Sequence, residues 1–464
     1  MKYDRWKNQE EAFQFAMGHP QCMLDMEMGT GKTRVAIDVA FAREDVHKIL
    51  IVCPKAVVPV WRENLEKFTE DYSTWSCWDY QKGTVKAKAE NFKNWDPDPN
   101  TKQFVVMNYD SVWRMPMGDL VLKAGFDMVI LDESHRAKAA GSKVSKYLYL
   151  LGKRVQYKMC LSGTPMANSP LDIYGQYRFL DSSIFGTNYY LFLQEYAIMG
   201  GPERRFVVGF QNQQKLNRGF RWLAYTCKMS DIKDRIKLPD ALPLVKRVVD
   251  LPARDMKTCR ELAQDFIAEC GSSSVVVKNV LGKITRLQQI ASGFCMVQDA
   301  PSDIPRQIEL NTAKEDALSD MLEDISPEAP VVVFCVFRHD LEAIARSARK
   351  VNREVFEISG STNQLNEWKQ VTGGVLAVQI QAGAEGIDMT ISNHAIYYSI
   401  PHSLALYNQS KARLYRPGQK NAVSFCHILA KGTIDEAMHD ALIRKEDVIE
   451  SIKKGTFNFG YLKG

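Results

Sequence analysis

Short apolar runs closed by breakers recur along the first part of the chain: Lys48 to Pro54, Gln103 to Tyr109, Phe126 to Leu131 and Tyr157 to Ser162. Each has strand length, and stretches with helical spacing, such as Val57 to Phe68, fall between them. This alternation predicts a parallel sheet covered by helices on both faces, with ligands at the carboxyl ends of the strands. From about Leu171 the texture becomes aromatic and basic, which predicts a mostly helical insertion over about 171–238 and a hinge running to Val245. Residues 250–300 read as a helical protrusion, with Ile284, Leu287 and Ile290 at core spacing. A second alternating series follows: Val331 to Val336, a helix from His339 to Lys350, then strands at Glu354 to Ile358, Val375 to Val378, His394 to Tyr398 and through Ile428. A long charged helix from about Ile434 to Lys453 ends the pattern. Two α/β lobes are therefore predicted, 1–238 and 239–464.

At 464 residues the chain is long enough for two or three domains, and 45% hydrophobic with 25% charged residues is a globular composition. No apolar run is long enough to span a bilayer, and Met1 to Trp6 lacks the apolar core of a signal peptide, so a cytoplasmic location is expected. The ten cysteines include no Cys-x-x-Cys, and Cys22, Cys53, Cys160, Cys335 and Cys426 lie in or beside apolar runs, so buried thiols are expected. A net charge of +5 excludes a chain coated in cations for indiscriminate polyanion binding. Any such site must be local, with candidates in Lys82 to Lys93, Arg136 to Lys146, and Arg204, Arg205, Lys215, Arg218 and Arg221. Each cluster taken alone reads as a solvated face.

The most informative stretch is Met26-Glu27-Met28-Gly29-Thr30-Gly31-Lys32-Thr33, followed by a helix from Val35. A glycine-rich turn frees backbone N–H groups to point at phosphate oxygens, Lys32 can reach terminal phosphates, and the Thr33 hydroxyl can hold Mg²⁺. Met26 stands where such loops usually open on glycine. At the end of a later strand come Asp132-Glu133-Ser134-His135. Adjacent carboxylates on a loop suit magnesium–nucleotide chemistry, Asp132 holding the metal and Glu133 positioning and deprotonating the attacking water. In isolation they read equally well as a solvated acidic turn, and on chemistry alone Gln9 is a surface residue.

In this order, Gln9, Met28 to Thr33, Leu50 to Pro54, Asp132 to His135, Leu161 to Pro170, Ala382 to Met389 and Gln409 to Gln419 resemble the SWI/SNF-like family of superfamily II helicases over nearly the whole chain. The run Arg416-Pro417-Gly418-Gln419 separates that family from strand-separating relatives, and the Asp-Glu-Ser-His spelling is similar to its annealing-helicase subgroup. The resemblance implies two RecA-like parallel-sheet lobes with helical insertions, ATP and Mg²⁺ as cofactors, and DNA as partner. It places adenine recognition at Gln9, nucleotide binding at Met28, Gly29, Thr30, Gly31, Lys32, Thr33, Asp132, Gly386 and Asp388, and magnesium at Thr33 and Asp132. Glu133 becomes the catalytic base, assisted by Lys32, while Arg413 and Arg416 match paired arginines that reach the nucleotide across a cleft. DNA contacts are implied at Pro54, Lys55, Asn108, Tyr109, Gln381, Ala382 and Gly383, with Trp113 a further candidate. Asp388 replaces the family's usual Asn, and the Arg that commonly follows a turn like Gly360-Ser361 is not evident.

The expectation is thus an ATP-dependent translocase on duplex or branched DNA, a minimal bacterial or viral motor acting as a monomer, with targeting left to a protein partner. Two rivals stand beside it: a conventional strand-separating helicase for DNA or RNA, and an ATP-gated DNA-binding switch that hydrolyses little.

Overall fold

The computed structural model describes residues 4–80, 83–95, 98, 100–166, 169–200, 206–232, 238–270, 277–297, 306–383, 387–453 and 456–462. The chain divides into two units, Met1–Ile236 and Lys237–Gly464.

The first unit is built on strands β1 (Gln21–Met26), β2 (Lys48–Cys53), β3 (Trp75–Trp78), β4 (Lys102–Asn108), β5 (Met128–Asp132) and β6 (Tyr157–Ser162). A hairpin, β7 (Ala197–Gly200) and β8 (Phe206–Phe210), and a last strand, β9 (Ala224–Cys227), follow. Seven strands form one sheet in the order β3-β4-β2-β5-β6-β1-β9, every pairing parallel. Both faces of a parallel sheet must be covered, and the run Ile49-Leu50-Ile51-Val52-Cys53 shows how: Ile49, Ile51 and Cys53 enter one core, Leu50 and Val52 the other. Because the strands all point the same way, the segments after Met26, Cys53, Asn108, Asp132 and Ser162 emerge at one edge.

The second unit repeats the plan with β10 (Val245–Val249), a separate hairpin of β11 (Phe294–Val297) and β12 (Arg306–Glu309), then β13 (Val331–Cys335), β14 (Val355–Ile358), β15 (Val375–Gln379), β16 (His394–Tyr397) and β17 (Ser424–Ala430). Its six-stranded sheet, order β10-β17-β16-β13-β15-β14, is again wholly parallel. Val332 and Phe334 pack on one face, Val331, Val333 and Cys335 on the other. Two RecA-like parallel-sheet units with helical additions are therefore present.

Three details depart from the sequence pattern. The segment after Leu171 holds helices at Ile173–Leu180, Ser182–Phe185, Tyr189–Tyr196 and Gln213–Leu223, but it also carries the β7–β8 hairpin and returns β9 to the main sheet beside β1. The expected long terminal helix is two, Ile434–Ile443 and Val448–Lys453, broken where Lys445 takes a left-handed φ of 60°. Strand β3 at Trp75–Trp78 had no clear apolar alternation to announce it. The described cysteines are free, and Cys22, Cys53, Cys160, Cys335 and Cys426 are buried as expected. Among the described residues no helix is long and apolar enough to cross a membrane.

Candidate active site

Strand β1 delivers the chain into a tight turn at Met26, and the helix Lys32–Ala42 starts directly after it. Gly29 and Gly31 adopt φ of 84° and 96°, a region that costs any residue with a side chain. A Cβ on Gly31 would lie 2.2 Å from the Gln9 Nε2, so the Gln9 amide rests directly against the loop. Asn8 Nδ2 donates to the Thr30 carbonyl at 2.9 Å, and the Thr30 hydroxyl donates to the Glu27 carbonyl at 2.7 Å. The first helix of the chain thus braces the loop from one side. Gln9 Oε1 is engaged by the Trp6 backbone N–H at 3.0 Å, which fixes the amide's orientation. Gly31→Ala should cost about 1–3 kcal/mol in strain, displace Gln9, and abolish measurable nucleotide binding; retained affinity with an unchanged melting midpoint would contradict this packing.

The carboxylates arrive from β5. Asp132, the last residue of the strand, and Glu133, at φ 49°, are each 5% exposed. Glu133 Oε1 lies 3.7 Å from Lys32 Nζ, and its Oε2 lies 3.4 Å from His135 Nδ1. His135 Nδ1 is also 3.4 Å from the Ser162 hydroxyl, which accepts the Thr164 N–H at 3.1 Å. A chain of contacts therefore runs from the phosphate loop through Glu133 and His135 to the end of β6. There Gly163 passes so close to the loop that a Cβ would sit 3.2 Å from the Met26 carbonyl.

Asp132 is held by the Trp61 indole N–H, which donates to its Oδ2 at 3.0 Å, and by the Glu133 N–H, which donates to Oδ1 at 3.0 Å. Burial and then the neighbouring Glu133 charge push its carboxyl up to about 6, with Lys32 and the Trp61 bond pulling the other way. Two buried carboxylates with one lysine form a site where a divalent cation would relieve repulsion, so Asp132 and Thr33 fit the metal role chemically. Burial also lowers the His135 pKa, against the pull of Glu133, and favours a neutral imidazole.

In the second unit, the helix Leu404–Leu414 carries Arg413. It is anchored by Tyr407 OH, 3.0 Å from His427 Nε2, and by Ser410 Oγ, 2.7 Å from Tyr397 OH. Arg413 is buried, and its carbonyl accepts the Met389 N–H at 3.1 Å. The helix ends at Leu414, Gly418 takes φ 105°, and Gln419 pins the turn by donating to the carbonyls of Ser392 at 2.8 Å and Leu414 at 3.3 Å. That turn presents Arg416 to Asp388. Burial opposes ionisation of Asp388, but Arg416 and the Thr390 hydrogen bonds together hold its carboxyl below the usual value. Arg416 Nε is buried without a hydrogen-bond partner among the described residues. Gly386, Ala167, Asn168, Lys82, Arg204 and Arg205 lie outside the described residues.

The expected DNA-contact positions divide sharply. Lys55 and Gln381 are exposed and Ala382 is half-buried, whereas Pro54, Asn108, Tyr109 and Gly383 are buried. Asn108 Oδ1 accepts the Ser111 N–H at 3.1 Å, and Tyr109 OH donates to the Asp132 carbonyl at 2.9 Å. The Tyr109 side chain therefore braces the carboxylate turn. Tyr109→Phe should lower ATP turnover several-fold and leave DNA affinity unchanged; a selective loss of DNA affinity would restore a contact role. Trp61, His135, Ser162 and Tyr109 join the site by contacts between distant segments. Trp61 had no sequence signal beyond its amphipathic helix, while His135 and Ser162 lay within motifs already singled out.

Comparison with known proteins gives a consistent result. The SNF2-related domain matches residues 9–292, and the helicase conserved C-terminal domain matches 313–418. The DNA annealing helicase and endonuclease ZRANB3 of Bos taurus is 24% identical, covering 96% of this chain and 40% of its own. An uncharacterized ATP-dependent helicase of Mycoplasma genitalium is 23% identical, covering 94% of this chain and 40% of its own. The chain thus spans about 40% of the length of these relatives. A solved Sulfolobus solfataricus SWI2/SNF2 ATPase core in complex with dsDNA is 18% identical, with 98% of this chain and 94% of that chain covered at a TM-score of 0.45.

Proposed function

Because the chain belongs to the SNF2-related, SWI/SNF-like family of superfamily II helicases, we propose that it is a DNA-dependent ATPase that couples ATP hydrolysis to movement along duplex DNA. The observation that carries this reading is the grouping of Lys32, Asp132 and Glu133 beside a loop bent by Gly29 and Gly31. That grouping would supply a phosphate cradle, a metal-ligand carboxylate and a base.

In the proposed reaction the loop's backbone N–H groups and Lys32 bind the phosphates of ATP, and the Gln9 amide reads the adenine edge. Glu133 accepts a proton from the attacking water while His135 keeps its carboxylate oriented. Thr33 and Asp132 would hold a magnesium ion, which when bound neutralises charge on the phosphate oxygens. Arg413 and Arg416 would supply planar cations to the transferring phosphoryl group. The unused Nε donor of Arg416 supports that assignment. Coupling would follow if ATP binding favours one arrangement of the units and hydrolysis releases it. DNA would be held mainly through phosphates, from Lys55, Gln381 and the backbone around Pro54, Asn108, Ala382 and Gly383. We further propose that the protein acts as a monomeric motor in the cytoplasm or nucleoid.

The test is ATP turnover with no nucleic acid, single-stranded DNA, blunt duplex, forked DNA and RNA. Stimulation by duplex with little sequence preference, weakening steeply with salt, is expected. Stimulation by RNA alone would favour the conventional helicase, and turnover indifferent to every nucleic acid would remove the motor reading.

A further inference from the structure

The helix Gln213–Leu223 packs into the first unit's core through Leu216, Phe220 and Leu223. Its remaining positions include Lys215, Arg218 and Arg221, with no carboxylate anywhere in the helix. Helical geometry places Lys215, Arg218 and Trp222, spaced i, i+3 and i+7, on one stripe away from the buried face, with Arg221 alongside Arg218. All four are exposed, and Trp222, at 72%, is the most exposed large hydrophobic side chain among the described residues. Trp222 belongs to neither core of its unit. Lys215 is paired with Glu195 at 2.8 Å, whereas Arg218 and Arg221 have no ion-pair partner among the described residues.

An indole is a costly way to finish a solvated face, and the helix is already anchored without it. A flat aromatic surface flanked by two guanidinium groups matches an unpaired nucleotide, whose base offers a π face and whose flanking phosphates offer negative charge. Stacked bases of an intact duplex do not offer that face. We propose that this helix is an accessory DNA contact for branched or gapped DNA, an unpaired base stacking on Trp222 while Arg218 and Arg221 hold the adjoining phosphates. The inference rests on the DNA-motor reading above and names the class of DNA that the motor would prefer.

The test compares full-length wild type, Trp222→Ala, Trp222→Phe and the double variant Arg218→Glu/Arg221→Glu. For each, affinity and ATP turnover are measured with a blunt duplex and with a fork bearing single-stranded arms, alongside the melting midpoint. Wild type should bind the fork more tightly. Trp222→Ala should lose about 5- to 140-fold in fork affinity, keep its blunt-duplex affinity, duplex-stimulated turnover and melting midpoint, and be partly rescued as Trp222→Phe. The charge-reversed variant should lose fork affinity and show a shallower salt dependence. Equal affinity of wild type for fork and duplex, or an unchanged fork affinity in Trp222→Ala, would overturn the inference and leave the motor reading standing, turning this face toward a protein partner. Wild-type turnover that no DNA stimulates would instead overturn the motor reading itself.

Discussion

Glu133→Gln should lower ATP turnover by about 10²–10⁴ while nucleotide affinity changes little. Glutamine has nearly the same shape, so it can occupy the buried position at φ 49° beside Lys32, yet it cannot take a proton from water. Lys32→Ala should behave differently. It removes the cation 3.7 Å from Glu133 and the group that reaches the phosphates, so nucleotide affinity and turnover should fall together. Titrating a fluorescent nucleotide against each variant, with turnover measured on the same preparations, separates the two outcomes. Near-normal turnover in Glu133→Gln would remove Glu133 as the base, and tight nucleotide binding by Lys32→Ala would remove Lys32 as a phosphate ligand.

The second large effect is expected at Arg416. Arg416→Ala should reduce turnover by about 10³–10⁵, the range measured for arginines that reach a transferring phosphoryl group, with ATP affinity largely kept. A competing explanation is that Arg416 only compensates the Asp388 carboxylate, which it helps hold below the ordinary range. Arg416→Lys distinguishes them, because lysine preserves the charge near Asp388 but not the planar fork. Turnover restored by lysine would point to simple charge compensation. Turnover that stays low in both variants, with an unchanged melting midpoint, is the result expected of a phosphoryl-contacting arginine. Residues 1–238 alone should likewise hydrolyse ATP far more slowly than the whole chain.

What the sequence disclosed follows from how far apart the interacting residues lie. The glycine turn is legible because Gly29, Gly31, Lys32 and Thr33 lie within one short stretch, and the two parallel sheets because adjacent residues such as Ile49 and Leu50 must both be apolar to face two cores. The bracing of Asp132 was not legible. Trp61 reaches it from a helix 71 positions earlier and Tyr109 from 23 positions earlier, and nothing local marks either contact. Tyr109, expected at DNA, is buried at its strand end with its hydroxyl on the Asp132 carbonyl, an orientation that strand position alone does not disclose. Strand β9 has no signal of its own, because its four residues, Ala224 to Cys227, owe their conformation to pairing with β1 rather than to any apolar run. The break near Lys445 is a backbone event within a sequence that keeps helical spacing on both sides.

Triplex displacement separates movement along intact duplex from strand separation. A duplex carrying a bound third strand and a plain partial duplex of the same sequence are incubated with the protein and ATP, or with a non-hydrolysable analogue. The third strand should be released with ATP alone, and the partial duplex should not be unwound. Efficient unwinding of the partial duplex without release of the third strand would contradict movement along intact duplex and identify a conventional helicase.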